Sequence, residues 1–224
     1  MQTVLTLFAH PDDETTAMGG TMLRLQGRCR LIMLCLTRGE RGLSPGYIEA
    51  RSETGRIREA ELRAVAGKLG AEVRFLDLID REVYADLAIC TRVAAILREV
   101  HPSIFFSMWP IDRHPDHAAT SEIARKAMLL AEYTGEFWMV ETGPEQTAQF
   151  DPEICVDIAG VLDQKDQLNR CHACQNPDDY LVQRARNLSN FRGLTAGLEH
   201  AEAFRSLQPS VAGRKSALAE LLAV

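Results

Sequence analysis

Val4-Leu5-Thr6-Leu7-Phe8-Ala9-His10-Pro11-Asp12-Asp13-Glu14 opens the chain within a few residues of its start. The apolar run Val4 to Ala9 predicts a strand, and it stops abruptly at an imidazole followed by adjacent carboxylates. In open α/β sheets the carboxyl edge of the strands is where active sites are built. The pattern recurs about a hundred residues later: a hydrophobic run from Ile104 to Trp109 leads into Asp112-Arg113-His114-Pro115-Asp116-His117. Each Pro-Asp step also suits a turn followed by a helix N-cap. Two His/Asp clusters, placed alike at the ends of two strands, point instead to a metal-dependent hydrolase.

Working outward from these clusters, strand and helix patterns alternate. Strands are predicted over Thr3–Ala9, Arg30–Thr37, Glu72–Leu76, Ser103–Ser107, Glu136–Val140 and Ile154–Asp157. Helices are predicted over Thr15–Gln26, Ser52–Leu69, Asp86–Val100, Pro115–Glu132 and Ala159–Cys171. The alternation implies an α/β fold in three layers, a mostly parallel sheet with helices on both faces. From about residue 177 the pattern turns helical, over Tyr180–Leu198 and Val211–Ala223. That tail is expected to pack on the same domain or to join a homo-oligomer interface. No repeat, low-complexity tract or long linker divides the chain, so a single domain over 1–224 is expected.

The 224 residues suffice for a sizeable core, and the 46% hydrophobic and 25% charged fractions are those of an ordinary globule. A formal net charge of −6 argues against a nucleic-acid partner. Apolar runs are too short to span a bilayer, and Met1-Gln2-Thr3 enters a strand with no basic leader, so no membrane partner and a cytoplasmic location are expected. Six scattered cysteines suit buried free thiols in a reducing compartment. The lone Cys171-His172-Ala173-Cys174 pair lacks a second pair for a zinc knuckle.

His10 and Asp13, three residues apart at a helix start, can converge on one point, and His117 can supply a third ligand. Two imidazoles and a carboxylate with an open position make a catalytic zinc site, in which the pKa of bound water falls to about 7. Asp12 is then a candidate general base, and His114 a donor to a developing oxyanion. Asp116 suits either orientation of a histidine or a helix cap. Asp12 could likewise be a turn former. His101 and His200 read as structural.

At these residues the chain resembles the LmbE-like, or PIG-L, family of zinc-dependent de-N-acetylases, which act on N-acetylglucosamine-type sugars. The resemblance rests on Ala9-His10-Pro11-Asp12-Asp13-Glu14, Gly19-Gly20-Thr21, Leu36-Thr37-Arg38-Gly39-Glu40, the helix with Arg58 and Glu61, and His114-Pro115-Asp116-His117. It is weaker near Lys165 and His172 and returns at Ala201-Glu202-Ala203-Phe204. It implies a Rossmann-like fold, metal ligands at His10, Asp13 and His117, a base at Asp12 and an oxyanion-stabilising histidine at His114. It further implies sugar contacts at Glu40, Arg58 and Asp80, and a small amino-sugar substrate. Where relatives carry His-x-Ser-Gln this chain has His172-Ala173-Cys174-Gln175, which leaves the role of His172 open.

Rival readings remain. Two histidines and a carboxylate also bind Fe2+ in non-haem oxygenases, although that chemistry gives no role to Asp12. Gly42-Leu43-Ser44-Pro45-Gly46 fits a serine-hydrolase pattern but lies in loop with Pro45 after the serine, unlike a nucleophile elbow. It reads more naturally as a mobile substrate loop. A non-catalytic metal- or carbohydrate-binding protein would need neither Asp12 nor His114.

Overall fold

A computed structural model describes residues 1–42, 51–206 and 216–222. Ser44 and the segment read as a substrate loop lie outside the described residues, as does much of the helix predicted from Val211.

Among the described residues, one sheet of seven strands runs in the order β3-β2-β1-β4-β5-β7-β6. The strands are β1 (Thr3–Phe8), β2 (Arg30–Thr37), β3 (Glu72–Leu78), β4 (Ile104–Met108), β5 (Glu136–Val140), β6 (Ile154–Asp157) and β7 (Ala201–Arg205). The first five are parallel neighbours, whereas β7 runs antiparallel to both β5 and β6. The helices are α1 (Asp13–Leu25), α2 (Arg51–Leu69), α3 (Leu87–Val100), α4 (Pro115–Ala131), α5 (Leu162–Asn169), α6 (Tyr180–Ala196) and α7 (Ala217–Leu222). No described helix is long and apolar enough to cross a membrane.

Side-chain alternation along the strands builds two cores. Val4, Phe8, Met33, Cys35 and Phe106 face α1, α2 and α7, while Leu5, Leu7, Ile32, Leu34 and Phe105 face α3 and α4. Strands apolar on both faces are what a parallel sheet covered by helices requires, and the three-layer α/β expectation is met. From β1 the chain winds to β2 and β3, then crosses back to β4 and β5. The carboxyl ends of β1 and β4 therefore flank the point where the winding direction reverses, which opens a crevice.

The tail corrects one expectation. The stretch read as helical from about residue 177 contains β7, and its second residue, Glu202, explains why the pattern was obscure. Glu202 is buried but points a carboxylate at α1, which is interrupted at Met18 (φ −141°, ψ 22°). The interruption frees main-chain donors, and Glu202 accepts from Gly20 N at 2.8 Å and Thr21 N at 2.6 Å. Lys165 Nζ, equally buried, donates to the same carboxylate at 2.7 Å. Gly20 is required here, since a Cβ would lie 2.7 Å from Ile158 Cγ2. Glu202→Ala would strand a buried ammonium and two N–H groups. The expected loss of unfolding free energy is about 3–5 kcal/mol, measured by urea denaturation; a loss below about 1 kcal/mol would show that the pair is dispensable.

Candidate active site

Both His/Asp clusters meet in the crevice. His10 leaves β1, Asp13 begins α1, and His114 and His117 bracket the first turn of α4. They line a groove of about 200 Å3 together with Asp12, Arg58, Asp80, Arg81, Gln146, Gln175 and Arg184. His10 Nδ1 lies 3.3 Å from Asp13 Oδ2, and His117 Nε2 lies 3.3 Å from Asp13 Oδ1. Nitrogen and oxygen ligands held about 2.0–2.2 Å from one tetrahedral zinc stand about 3.3–3.5 Å apart. The far side of each ring faces a carboxylate. His10 Nε2 is 3.0 Å from Asp116 Oδ2 and 3.2 Å from Asp80 Oδ1, and His117 Nδ1 is 3.2 Å from Asp112 Oδ2. Carboxylates behind metal-binding imidazoles fix the ring and raise its basicity. Among the described residues, ligand atoms of His10, His114 and His117, and of His10, Asp80 and Asp116, lie within 4.8 Å of one another, and with Asp13 facing both imidazoles these donors fit a divalent ion.

Charge in the pocket follows from this crowding. Burial opposes a proton on His10, but hydrogen bonds to Asp116, Asp13 and Asp80 outweigh it and hold the ring well above the usual 6.5. Burial likewise opposes charge on His117, yet Asp13 and Asp112 raise it to about 9. Asp13, although buried, is held well below the carboxylate range by His117 and His10.

Geometry bears on two residues that the sequence could also read as caps. Asp12 sits at the N-cap position of α1 but makes no side-chain cap. Its carboxylate instead meets Arg58 Nη2 at 3.0 Å, with its backbone at φ 114°. Burial raises Asp12 to about 6, with Arg58 pulling the other way. Asp116 does not cap α4; its carboxylate accepts from Arg81 N at 2.7 Å and faces His10. The cap is His114, whose Nδ1 accepts from Asp116 N at 3.2 Å. That bond assigns the proton of neutral His114 to Nε2, and burial with neighbouring His10 lowers its pKa.

The residues expected to touch sugar are placed differently from one another. Arg58, 4% exposed, donates to Pro11 O at 2.6 Å and Gly39 O at 2.9 Å as well as to Asp12. Glu40 Oε1 accepts from Asp80 N at 2.9 Å, and Asp80 Oδ2 accepts from Arg41 N at 3.0 Å. Arg58 and Asp80 line the groove; Glu40 stands behind Asp80. Asp112, quoted in the second cluster without a role, is a site residue that sequence reasoning missed. Arg184 on α6 and Gln146 after β5 were also missed, and no motif marks them. His101 caps α3, and His200 meets Ser189 at 3.1 Å.

The family model for GlcNAc-PI de-N-acetylase, PIG-L, matches residues 5–128, and the chain belongs to that family. A probable N-acetyl-alpha-D-glucosaminyl L-malate deacetylase 2 of Bacillus anthracis is 33% identical over 56% of this chain and 58% of its own length. The chain therefore spans little more than half of that relative in the match. A 4-oxalmesaconate hydratase of Pseudomonas putida is 26% identical over 94% of this chain and 91% of its own. In structure, the N,N'-diacetylchitobiose deacetylase of Pyrococcus horikoshii superposes with a TM-score of 0.83 at 24% identity, covering 98% of this chain and 88% of that one. The resemblance read from the motifs and the α/β fold are both borne out.

His172 belongs to the layer behind the groove. Its Nε2 is 2.7 Å from Thr15 Oγ1, which donates in turn to Glu14 Oε1 at 3.3 Å. Burial lowers the ring to about 3. Between that value and the unfolded 6.5, the unfolded chain binds the extra proton, so this contribution to stability is complete above pH 6.5 and lost as pH falls through the window. The slope is about 1.4 kcal/mol per pH unit. Urea unfolding of His172→Gln should be flatter between pH 6.5 and 4.5 than the parent; parallel curves would refute a buried neutral ring.

Proposed function

We propose that the protein is a metal-dependent de-N-acetylase that hydrolyses the acetamide of a small N-acetylglucosamine-type substrate. The observation that carries this reading is Asp12. Its carboxylate is released from helix capping, aimed into the groove beside the His10–Asp13–His117 donor set, and held by a buried arginine. A metal-binding module alone has no use for it. Zinc is the ion we assign, and Fe2+ shares the same donors. Six unpaired cysteines support a reducing, cytoplasmic setting.

Held by His10, Asp13 and His117, a divalent ion would supply Lewis acidity to the carbonyl and to the attacking water. Asp12 then accepts the proton of the attacking water, with a pKa near 6 that suits transfer in both directions. His114 donates from Nε2 to the carbonyl oxygen as negative charge develops there. The departing amine takes its proton back from Asp12, and acetate and free amine result. Asp116 and Asp80 hold His10, and Asp112 stands behind His117.

For Arg58, Glu40 and Asp80 we favour supporting roles over the sugar contacts expected from the resemblance. Arg58 positions Asp12, and Glu40 with Asp80 braces the β3 loop against His10, while Gln146, Gln175 and Arg81, which also line the groove, are the candidates to meet hydroxyls. Acetate release from a panel of N-acetylglucosaminides tests the reading. Zinc-loaded Asp12→Asn should retain metal by mass spectrometry of the eluate and lose about 10²–10⁴-fold in kcat. Arg58→Ala should lower kcat rather than raise KM, and Glu40→Ala should affect sugar and small acyl substrates alike. Undiminished turnover in Asp12→Asn would sink the mechanism. Given the hydratase among the relatives, hydration of an unsaturated dicarboxylate without acetate release from any amino sugar would replace this function with water addition to a double bond.

A further inference from the structure

Helix α6 buries one face and leaves the other bare. Leu181, Val182, Ala185 and Ser189 are buried, while Tyr180 is 56%, Phe191 44% and Leu194 71% exposed. Large apolar side chains gathered on one solvent face are not the single exposures that any surface carries. At about 100° per residue, Tyr180, Gln183, Asn187, Asn190, Phe191 and Leu194 all fall within about 60° of Asn187, in one straight stripe. Each of them is exposed, and none is charged, in a chain whose net charge is −6. The charges bordering the stripe are already paired, Arg184 with Glu145 at 2.6 Å and Arg186 with Asp163 at 3.0 Å.

The stripe is symmetric about its centre. Tyr180 and Leu194 stand seven positions either side of Asn187, and Gln183 and Phe191 stand four either side. Beside the first turns of α6 a hollow of about 310 Å3 opens between residues 143–145 and Tyr180, Gln183 and Arg184. Phe191 and Leu194 protrude at the other end of the stripe, about 16 Å away along the helix axis. Phe191 is fixed there, because the Arg192 guanidinium lies 4.8 Å from its ring centroid and is itself held by Glu141 at 2.7 Å. A recess and its filler on one helix face, related by a half-turn about Asn187, make a self-complementary surface.

We propose that α6 is a two-fold interface between copies of this chain, with the two helices antiparallel and crossing at Asn187. The partner's Phe191 and Leu194 enter the hollow over Tyr180 and Gln183, the exchange is reciprocal, and the two Asn187 amides meet on the axis. An uncharged seam lets two chains of like net charge approach without opposing like charges. A polar residue within an apolar helix seam fixes its register. Exposed Pro144, Glu145 and Thr195 flank the seam as its rim. Glu145, Tyr180 and Arg184 also line a second hollow that reaches His114, so the partner's helix stands beside the catalytic groove.

Sedimentation velocity of the full chain should give an even multiple of the chain mass, and Leu194→Asp and Phe191→Asp should each halve it. Leu129→Asp, at a side chain 81% exposed on α4 rather than α6, should leave it unchanged. Asn187→Lys replaces one exposed polar residue by another, sets like charges on the axis and should also halve the mass; circular dichroism shows that each variant is folded. Cross-linking reads the register. Oxidised with diamide, Asn187→Cys should form a disulfide with its own copy and run as a dimer on a non-reducing gel. Gln183→Cys, about 12 Å from its copy along the axis, should match the parent chain. A monomer at high protein concentration overturns the interface. So does an oligomer whose mass survives Leu194→Asp, Phe191→Asp and Asn187→Lys, or cross-linking of Asn187→Cys no greater than that of Gln183→Cys.

Discussion

Asp12, Asp13, Glu14, Asp80, Asp112 and Asp116 crowd the carboxyl ends of β1 and β4, where little water remains to screen them. Like charges this close in a low-dielectric crevice repel strongly, so each carboxyl must find a cation or give up its charge. Arg58 answers Asp12, and His10 and His117 answer the other four aspartates at 3.0–3.3 Å. Glu14 has no such partner, and burial raises it to about 8, neutral at pH 7. The inner nitrogen of each imidazole faces one oxygen of Asp13 at 3.3 Å, where a divalent ion would replace the two ring protons with equal charge. The acids that make the crevice costly to fold are those that make it selective for a cation.

The same demand bends the backbone. Asp12 and Arg81 both occupy positive φ beside the site, strain of order 1–3 kcal/mol per residue that persists only where surroundings over-determine it. At Asp12 the determinant is Arg58, which ties Pro11 O to Gly39 O. Gly39, at φ 64°, lets the guanidinium in, because a Cβ there would lie 2.2 Å from Arg58 Nη1. A glycine after β2 and an arginine in α2 therefore aim a carboxylate after β1. At Arg81 the determinant is Asp116, which takes the N–H while holding His10.

Much of this was legible in the chain. Strand ends at His10 and before His114 are marked by apolar runs that stop at charged residues, and βα alternation places both at one edge of the sheet. The parallel strands and their helices follow the period of their apolar residues to within a few positions. What sequence could not disclose were relations of distance. β7 reads poorly as a strand because Ala201-Glu202-Ala203 lacks the branched apolar residues of β1 or β2. Arg58 and Glu40 were visible as residues, but their commitment to Asp12 and Asp80 depends on how α2 and the β2 and β3 loops converge. Arg81 and Arg184 are unremarkable among many arginines until the loop after β3 and helix α6 meet at the groove.

The antiparallel edge of the sheet is tied to the catalytic turn despite its distance along the chain. The first turn of α1 carries Asp13 and follows Asp12, so its axis decides where both point. That axis ends at Met18, and the next turn begins on a carboxylate 182 positions away, Glu202 on β7. Lys165 on α5 neutralises Glu202, Asn169 on the same helix lies 3.5 Å from Thr16, and His172 braces Thr15. A straight helix would satisfy its own donors and leave Glu202 and Lys165 as buried charges with half their partners. The interruption instead makes the direction of the first turn depend on the sheet's far edge, and so on the tail being folded.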